Sequence, residues 1–383
     1  MGKIETDHTG SGGGITLSSD GTSLLLDGTA IGGAALELYA ENPSSPVAPS
    51  ATGANGVALG REATSPGADS VAIGWNAYAQ AQTSSPGHAM GRNANVTSGG
   101  VAIGNFADAT GVYATALGTS ADATALNASA LGNDAEAAGT SSVAIGKSYA
   151  SGTDSFAAAI ANNTSSYGAT GANSIAIGQN AKATSSKGVA IGYGTQATAN
   201  YGMAIGHECQ APHQESVALG TRSQTRSKAH FAFGTGALVS AGFAQAGMIV
   251  IHGRTGDATQ GTLVSDSGLQ SLGTAGNSNQ LIVPSYGAIA FDGILVARGQ
   301  GSIANTDSAA WKIEGLIRKE SSNATTTLVN SAITVISNGP SWGIELSADT
   351  TNGALSVKVT GAASTNVKWV CTLRSSETLY NTY

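Results

Sequence analysis

Between residues 55 and 236 the chain repeats one short pattern of apolar and polar positions. "VALG" from Val57 is followed by "VAIG" from Val71, "HAMG" from His88, "VAIG" from Val101, "TALG" from Thr115, "SALG" from Ser129 and "VAIG" from Val143. The series continues with "AAIA" from Ala158, "IAIG" from Ile175, "VAIG" from Val189, "MAIG" from Met203, "VALG" from Val217 and "FAFG" from Phe231, thirteen copies in all. Most steps are 14 residues; those from Gly74 to Gly91 and from Ala161 to Gly178 are longer and read as loop insertions on the outer surface. A period of 14 is too short for a helical hairpin and fits one coil of a β-solenoid with two short strands.

The residue two before the glycine is Ala in every copy, and its neighbours are mostly Val, Ile, Leu or Met. Such alternation of large and small apolar residues implies a strand buried on both faces. Val71 and Ile73, Val101 and Ile103, Val143 and Ile145, and Val189 and Ile191 are expected to fill the coil's own face. Ala72, Ala102, Ala144 and Ala190 then admit a neighbouring backbone on the other. Three and five residues after the glycine the chain is small again, with polar residues such as Arg61, Glu62, Thr64, Asn133, Asp134 and Glu136 between, so the second strand reads small-in and polar-out. The glycine ends the first strand at a turn where a side chain would be costly. A narrow coil so rich in alanine buries too little of its own to offset the ordering of its backbone. The remedy is to pack the Ala faces of identical chains around an axis, so a homotrimer is expected.

The flanks differ. Residues 1–50 form a small β module: "GITLSSDGTSLLLDG" is a hairpin turning at Asp20-Gly21, and Pro43, Pro46 and Pro49 mark an extended linker. Residues 51–240 are the solenoid. In residues 241–383 short alternating runs such as "GMIVIHG", "GAIAFDGILVARG", "WKIEGLIRKE" and "NVKWVCTLR" alternate with turn clusters, the pattern of a β-sandwich. In the last run Val367, Trp369, Cys371 and Leu373 share one face, with Lys368 and Arg374 on the other. The fold class is therefore all-β throughout.

Composition narrows the function. Only 11% of residues are charged and the net charge is −7, which argues against a nucleic-acid partner, since phosphate binding needs a clustered positive field. The opening "MGKIETDHTGSGGG" has no apolar leader, and no apolar run approaches the ~18 residues of a spanning helix, so neither secretion nor membrane insertion is expected. Cys209 and Cys371 lie in different segments, and no disulfide framework is expected.

"SVAIG" followed by small-polar-small, repeated every 14 residues, resembles the left-handed parallel β-roll head of YadA-type trimeric autotransporter adhesins. That resemblance implies a trimeric left-handed roll and an adhesive role. The tail, "FDGILVARG" to "DSAAWKIEGLIRKE" to "ADTTNGALSVKVTGAA", resembles C-terminal β domains of structural and fibre proteins of tailed phages. An autotransporter would need a signal peptide, a heptad stalk and a membrane barrel; the start is polar, the end reads "SSETLYNTY", and Lys368 and Arg374 would be expensive in lipid. The two resemblances together imply a virion protein assembled in the host cytoplasm. The expectation is a trimeric tail fibre attached to other virion proteins, through its N-terminal end, that holds a host surface glycan or protein multivalently. The alternatives are a head fibre or decoration protein without a receptor, and a fragment of a bacterial adhesin.

No catalytic, cofactor or metal site is expected. "HECQAPH" (His207 to His213) lacks the HExxH spacing, and Cys209 sits at a position that is Ala in most coils, so it reads as a small buried hydrophobe. The strand-ending glycines lack the Lys-Ser/Thr and the helix of a phosphate loop. The basic stretch "TRSQTRSKAH" (Arg222, Arg226, Lys228, His230) reads first as a solvated rim and second as an anionic-glycan patch. Asp134 and Glu136 project from an exposed strand, which leaves a depolymerase as a minor reading. The ligand-binding candidates are aromatic: Trp75, Tyr78 and Trp342, each able to stack on a sugar or to brace a neighbour.

Overall fold

A computed structural model describes residues 47–81, 85–158, 166–235, 241–266, 271–300, 308–337 and 341–380, and before them only four short strands between residues 17 and 38. Among the described residues the chain is all-β, with one 3-10 turn at Asn323–Thr325, and carries a β-solenoid of about 13 turns. It divides into two compact units, Met1–Asp154 and Ser155–Tyr383.

In the first unit Leu17–Ser19, Leu24–Leu26 and Thr29–Ile31 pair antiparallel in that order. Ala35–Leu38 then pairs parallel with Gly56–Leu59, and a first row of strands follows in register: Val71–Ile73, His88–Met90, Val101–Ile103, Thr115–Leu117, Ser129–Leu131 and Val143–Ile145. A second row of two-residue strands runs beside it, from Ser50–Ala51 to Tyr149–Ala150. Each coil turns twice through left-handed residues, as at Phe106 and Tyr113. The glycine after the first strand is needed for two reasons. Gly104 has φ 143°, and a Cβ there would lie 2.2 Å from the Gly118 carbonyl oxygen of the next coil.

The interior of the coil is lined mainly by alanine methyl groups. Ala72, Ala102, Ala116, Ala130 and Ala144 from the first row meet Ala77, Ala107, Ala121, Ala123 and Ala137 from the turn and second row, all with no exposed surface. The second strand is small-in and polar-out as expected. The two faces of the first strand, however, are the reverse of the sequence-based expectation. Ala72, Ala102, Ala144 and Ala190 point into the coil, and Val71, Ile73, Val101, Ile103, Val143, Ile145, Val189 and Ile191 point out of it. The space between the two rows is narrow, so nearly every inward position of the first strand takes the small residue, although the second row admits Val96 at one inward position. Ile103 and Ile145 keep 42% and 40% of their surface exposed.

The second unit opens with coils of the same kind: Phe156–Ala158, Ile175–Ile177, Val189–Ile191, Met203–His207, Val217–Thr221 and His230–Thr235. The copy expected at Ala158 to Ala161 is two residues out of step. Phe156 pairs with Ile175, Ala157 with Ala176 and Ala158 with Ile177, so "FAA" fills the "VAI" positions and Ala157 enters the coil. The insertions expected after Gly74 and in the Ala158–Gly178 step fall largely outside the described residues.

His230–Thr235 is where the row changes direction. It pairs parallel with Val217–Thr221 and antiparallel with Ala244–Thr255. The sheet then runs through Asn366–Leu379, Gly287–Gln300 and Ser308–Lys319 to an edge strand, Thr327–Ser337. A smaller sheet sets Ala354–Thr360 between Gly343–Asp349 on one side and Gln260–Thr262 and Leu281–Ile282 on the other. Ile249, Leu295, Ile313, Trp369 and Leu373 of the long sheet form one buried cluster with Leu263, Leu281, Leu355 and Val357. Val367, Trp369, Cys371 and Leu373 do share the inner face, and Lys368 and Arg374 the outer.

Candidate functional site

In-register stacking turns each position of the coil into a ladder, so the outward surface consists of columns of side chains about 4.8 Å apart. In the first unit one column is Val71, His88, Val101, Thr115, Ser129 and Val143, and the next is Ile73, Met90, Ile103, Leu117, Leu131 and Ile145. Met90, Ile103, Leu117 and Ile145 are each at least 36% exposed. In the second unit the same face passes unbroken into the antiparallel sheet. Phe231 lies opposite Met248, and beyond it Val250, Ile294, Val296 and Val370 are 38–48% exposed.

The aromatic candidates fall in three different settings. Trp342 is only 9% exposed and packs in the core, its ring 5.9 Å from that of Trp369. It presents no face to a ligand, which corrects the expectation from the turn "NGPSWG". Trp75 is 42% exposed, but the guanidinium of Arg61 from the coil before and that of Arg92 from the coil after lie 5.5 and 4.6 Å from its ring centre, and its Nε1 donates to Glu62. The ring braces consecutive coils. Tyr78 is half-buried in the second row and donates its hydroxyl to Gln80.

The basic stretch carries no open positive field. Arg222 bonds Glu208, Lys228 bonds Asp266 at 2.7 Å, and Arg226 donates to the almost fully buried Glu377 at 3.0 Å. His230 is buried at the change of strand direction. Its Nδ1 accepts the Arg226 backbone N–H, so its proton sits on Nε2, which faces Glu377 Oε1 at 3.7 Å. Burial, with Arg226 and His213 nearby, outweighs the attraction of Glu377 and drives its pKa down to about 4. Gln245 and Ser375 complete the hydrogen bonding of Glu377. In "HECQAPH" the three groups go separate ways: His207 stacks outward on Tyr193, Cys209 fills the coil interior, and His213 Nδ1 meets the Thr225 carbonyl. Among the described residues no three His, Cys, Asp or Glu side chains converge as a metal set.

The sequence reading missed one ladder. Asp108, Asp122 and Glu136 occupy the same outward position of consecutive coils. Partial burial raises all three pKa values, Asp108 adds to the rise at Asp122, and Asp122 to that at Glu136. Aligning the copies on their glycines would have revealed the column.

Known proteins resemble the chain chiefly in the coils. The YadA head domain repeat matches residues 51–77, 98–121, 123–148, 169–195, 183–208 and 197–223, so the solenoid is similar to a YadA-type roll. No curated protein sequence matches the chain. Among solved structures, the tailspike protein gp49 of Acinetobacter baumannii bacteriophage Fri1, a capsular polysaccharide depolymerase, aligns at 11% identity and a TM-score of 0.22. That alignment covers 89% of this chain and 50% of the tailspike, so the chain spans half the length of that protein. The tailspike of Acinetobacter phage vB_ApiP_P1 aligns at 10% identity and a TM-score of 0.20, over 85% of this chain and 66% of its own. At those TM-scores neither comparison establishes a shared fold. No described helix is long and apolar enough to cross a membrane.

Proposed function

We propose that the chain is the subunit of a homotrimeric fibre of a tailed-phage virion, a non-catalytic tail fibre that holds the host surface through several weak sites at once. The observation that carries the self-association is the outward face of the first strand row. One of its two columns, Ile73, Met90, Ile103, Leu117, Leu131 and Ile145, is apolar on every described coil of the first unit, and a contiguous apolar surface of that kind marks an interface. Trimerisation would bury Val71, Ile73, Val101, Ile103, Val143 and Ile145 in one unit and Val189, Ile191, Phe231 and Met248 in the other. The edge strand Thr327–Ser337 adds eleven uncharged residues, with Val335 and Ile336 49% and 58% exposed, which a free edge would not tolerate in solution.

The similarity of the coils to YadA head repeats supports both the trimer and the adhesive role. The two C-terminal sheets around one core fit the β-sandwich expected there, and the sequence resemblance of that region to phage fibre domains supports the virion. Assembly in the host cytoplasm and an N-terminal attachment to the particle complete the reading. Light scattering of the full chain should return three times the chain mass, and a monomer would overturn the trimer. Antibody to the chain should label tail fibres on the particle; label on the capsid would replace a tail fibre by a head fibre or decoration protein.

A further inference from the structure

The turn after most first strands places one left-handed residue two positions past the glycine. In four consecutive coils these are Asn180, Gly194, Glu208 and Arg222, with φ of 59°, 64°, 54° and 54°. They stack through the backbone: Gly194 N–H donates to Gln179, Glu208 N–H to Tyr193 and Arg222 N–H to His207. Gly194 is the member of this column without a side chain, and it leaves a notch between Asn180 and Glu208. An open groove of about 400 Å³ lies there, within the ~300–1,000 Å³ typical of ligand clefts.

The walls of the groove suit one kind of ligand. Tyr193 stands beside the notch with one side stacked on His207 at 5.2 Å and 45% of its surface exposed. Tyr167 supplies a second phenol. Glu208 offers carboxylate oxygens held ionised by Arg222, whose Nε lies 2.5 Å away, so the pair adds hydrogen-bonding groups without net charge. Gln196 and Gln210 project outward from the second row and line the groove, and the Gln210 carbonyl oxygen accepts a hydrogen bond from Gln224. Aromatic rings set among planar amides and a neutralised ion pair match the apolar faces and hydroxyl edges of a pyranose. A phosphate or acidic glycan would need unpaired cations, and a purely apolar ligand would need apolar walls. The second row also lies across the coil from the Val and Ile ladders, so the groove stays open when those ladders close on neighbouring chains.

We propose that this groove is a binding site for an uncharged oligosaccharide. The inference rests on the adhesive reading above and gives it a place and a ligand class. The test uses the full chain on an array of neutral and acidic oligosaccharides, and as a fluorescent probe on a panel of bacterial cells. Three variants accompany it. Gly194→Asn refills the notch; its Cβ would lie 3.2 Å from the flexible Glu208 Cγ, and Asn tolerates a left-handed turn. Tyr193→Ser removes the ring, and Tyr201→Ser, at an exposed tyrosine outside the groove, is the control. The expected result is binding to neutral oligosaccharides that falls at least tenfold in Gly194→Asn and Tyr193→Ser, at unchanged melting temperature, and holds in Tyr201→Ser. Binding to acidic oligosaccharides alone, or to none, overturns the assignment. Cells labelled equally by wild type and both groove variants leave adhesion standing and overturn the groove; a wild-type chain that labels no cell fails the adhesive reading itself.

Discussion

Replacing Asp122 by Asn should stabilise the first unit. Asp122 sits between Asp108 and Glu136 in consecutive coils, and its Oδ1 is buried with no partner among the described residues. Two unit charges one strand spacing (~4.8 Å) apart repel by about 0.9 kcal/mol in water. A Debye length of about 8 Å at physiological salt trims this to roughly 0.5 kcal/mol. Two neighbours therefore cost about 1 kcal/mol, in line with the penalty for like charges facing each other across strands. An amide removes both repulsions and can donate to a flanking carboxylate, as Asn95 already does to Asp108 at 3.2 Å. The sign with pH follows from the raised pKa values. The ladder's stability is fully present below the unfolded carboxylate pKa and is lost as pH rises through the higher folded values. Urea unfolding at pH 7 should thus show Asp122→Asn about 1 kcal/mol more stable, more so at low salt, with the advantage gone at pH 3. A variant no more stable than wild type at pH 7 and low salt, or a gain that persists at pH 3, would refute the reasoning.

Four further outcomes follow from the same geometry. Ala144→Leu places a branched side chain inside a coil lined by small residues, Ser142, Ser148 and Ala150 among them, and should cost about 1–3 kcal/mol in denaturant unfolding. Ile103→Ser with Ile145→Ser, on the outward ladder, should leave the circular dichroism of the strands intact and shift the light-scattering mass toward the monomer. His230 has the opposite pH sign to the acidic ladder: its pKa is depressed from 6.5 to about 4, so its contribution is intact above pH 6.5 and lost as pH falls. That loss is on the order of 3 kcal/mol, and the acid limb of the second unit's stability profile should flatten in His230→Asn. Trp342→Ala should lower the stability of the second unit by about 3–5 kcal/mol while the folded fraction labels cells as wild type does, which separates a core residue from a ligand platform.

The period of 14, the strand positions, the glycine turns and the polar-out second row are all legible in the sequence. They depend on local spacing, and thirteen copies repeat it. "Val-Ala-Ile" alternates equally well with either face inward, so the sequence left the coil interior undecided. The narrow space between the two strand rows settles it: Ala72, Ala102 and their equivalents turn inward, and Val96 is a larger residue admitted at one inward position of the second row. The register of Phe156 was hidden because a run of alanines offers several matches, and only its pairing with Ile175 selects one. Candidate sites were least legible because their partners are distant in sequence. Trp75 looked open until Arg61 and Arg92 were stacked on it, and the positive run ending at His230 looked free until Glu208, Asp266 and Glu377 neutralised it. The groove at Gly194 exists only because coils stack: a missing side chain becomes a notch when the coils on either side supply Asn180 and Glu208. Local repetition determined the strands, and the stacking distance between them decided which residues are core, which are surface and where a ligand fits.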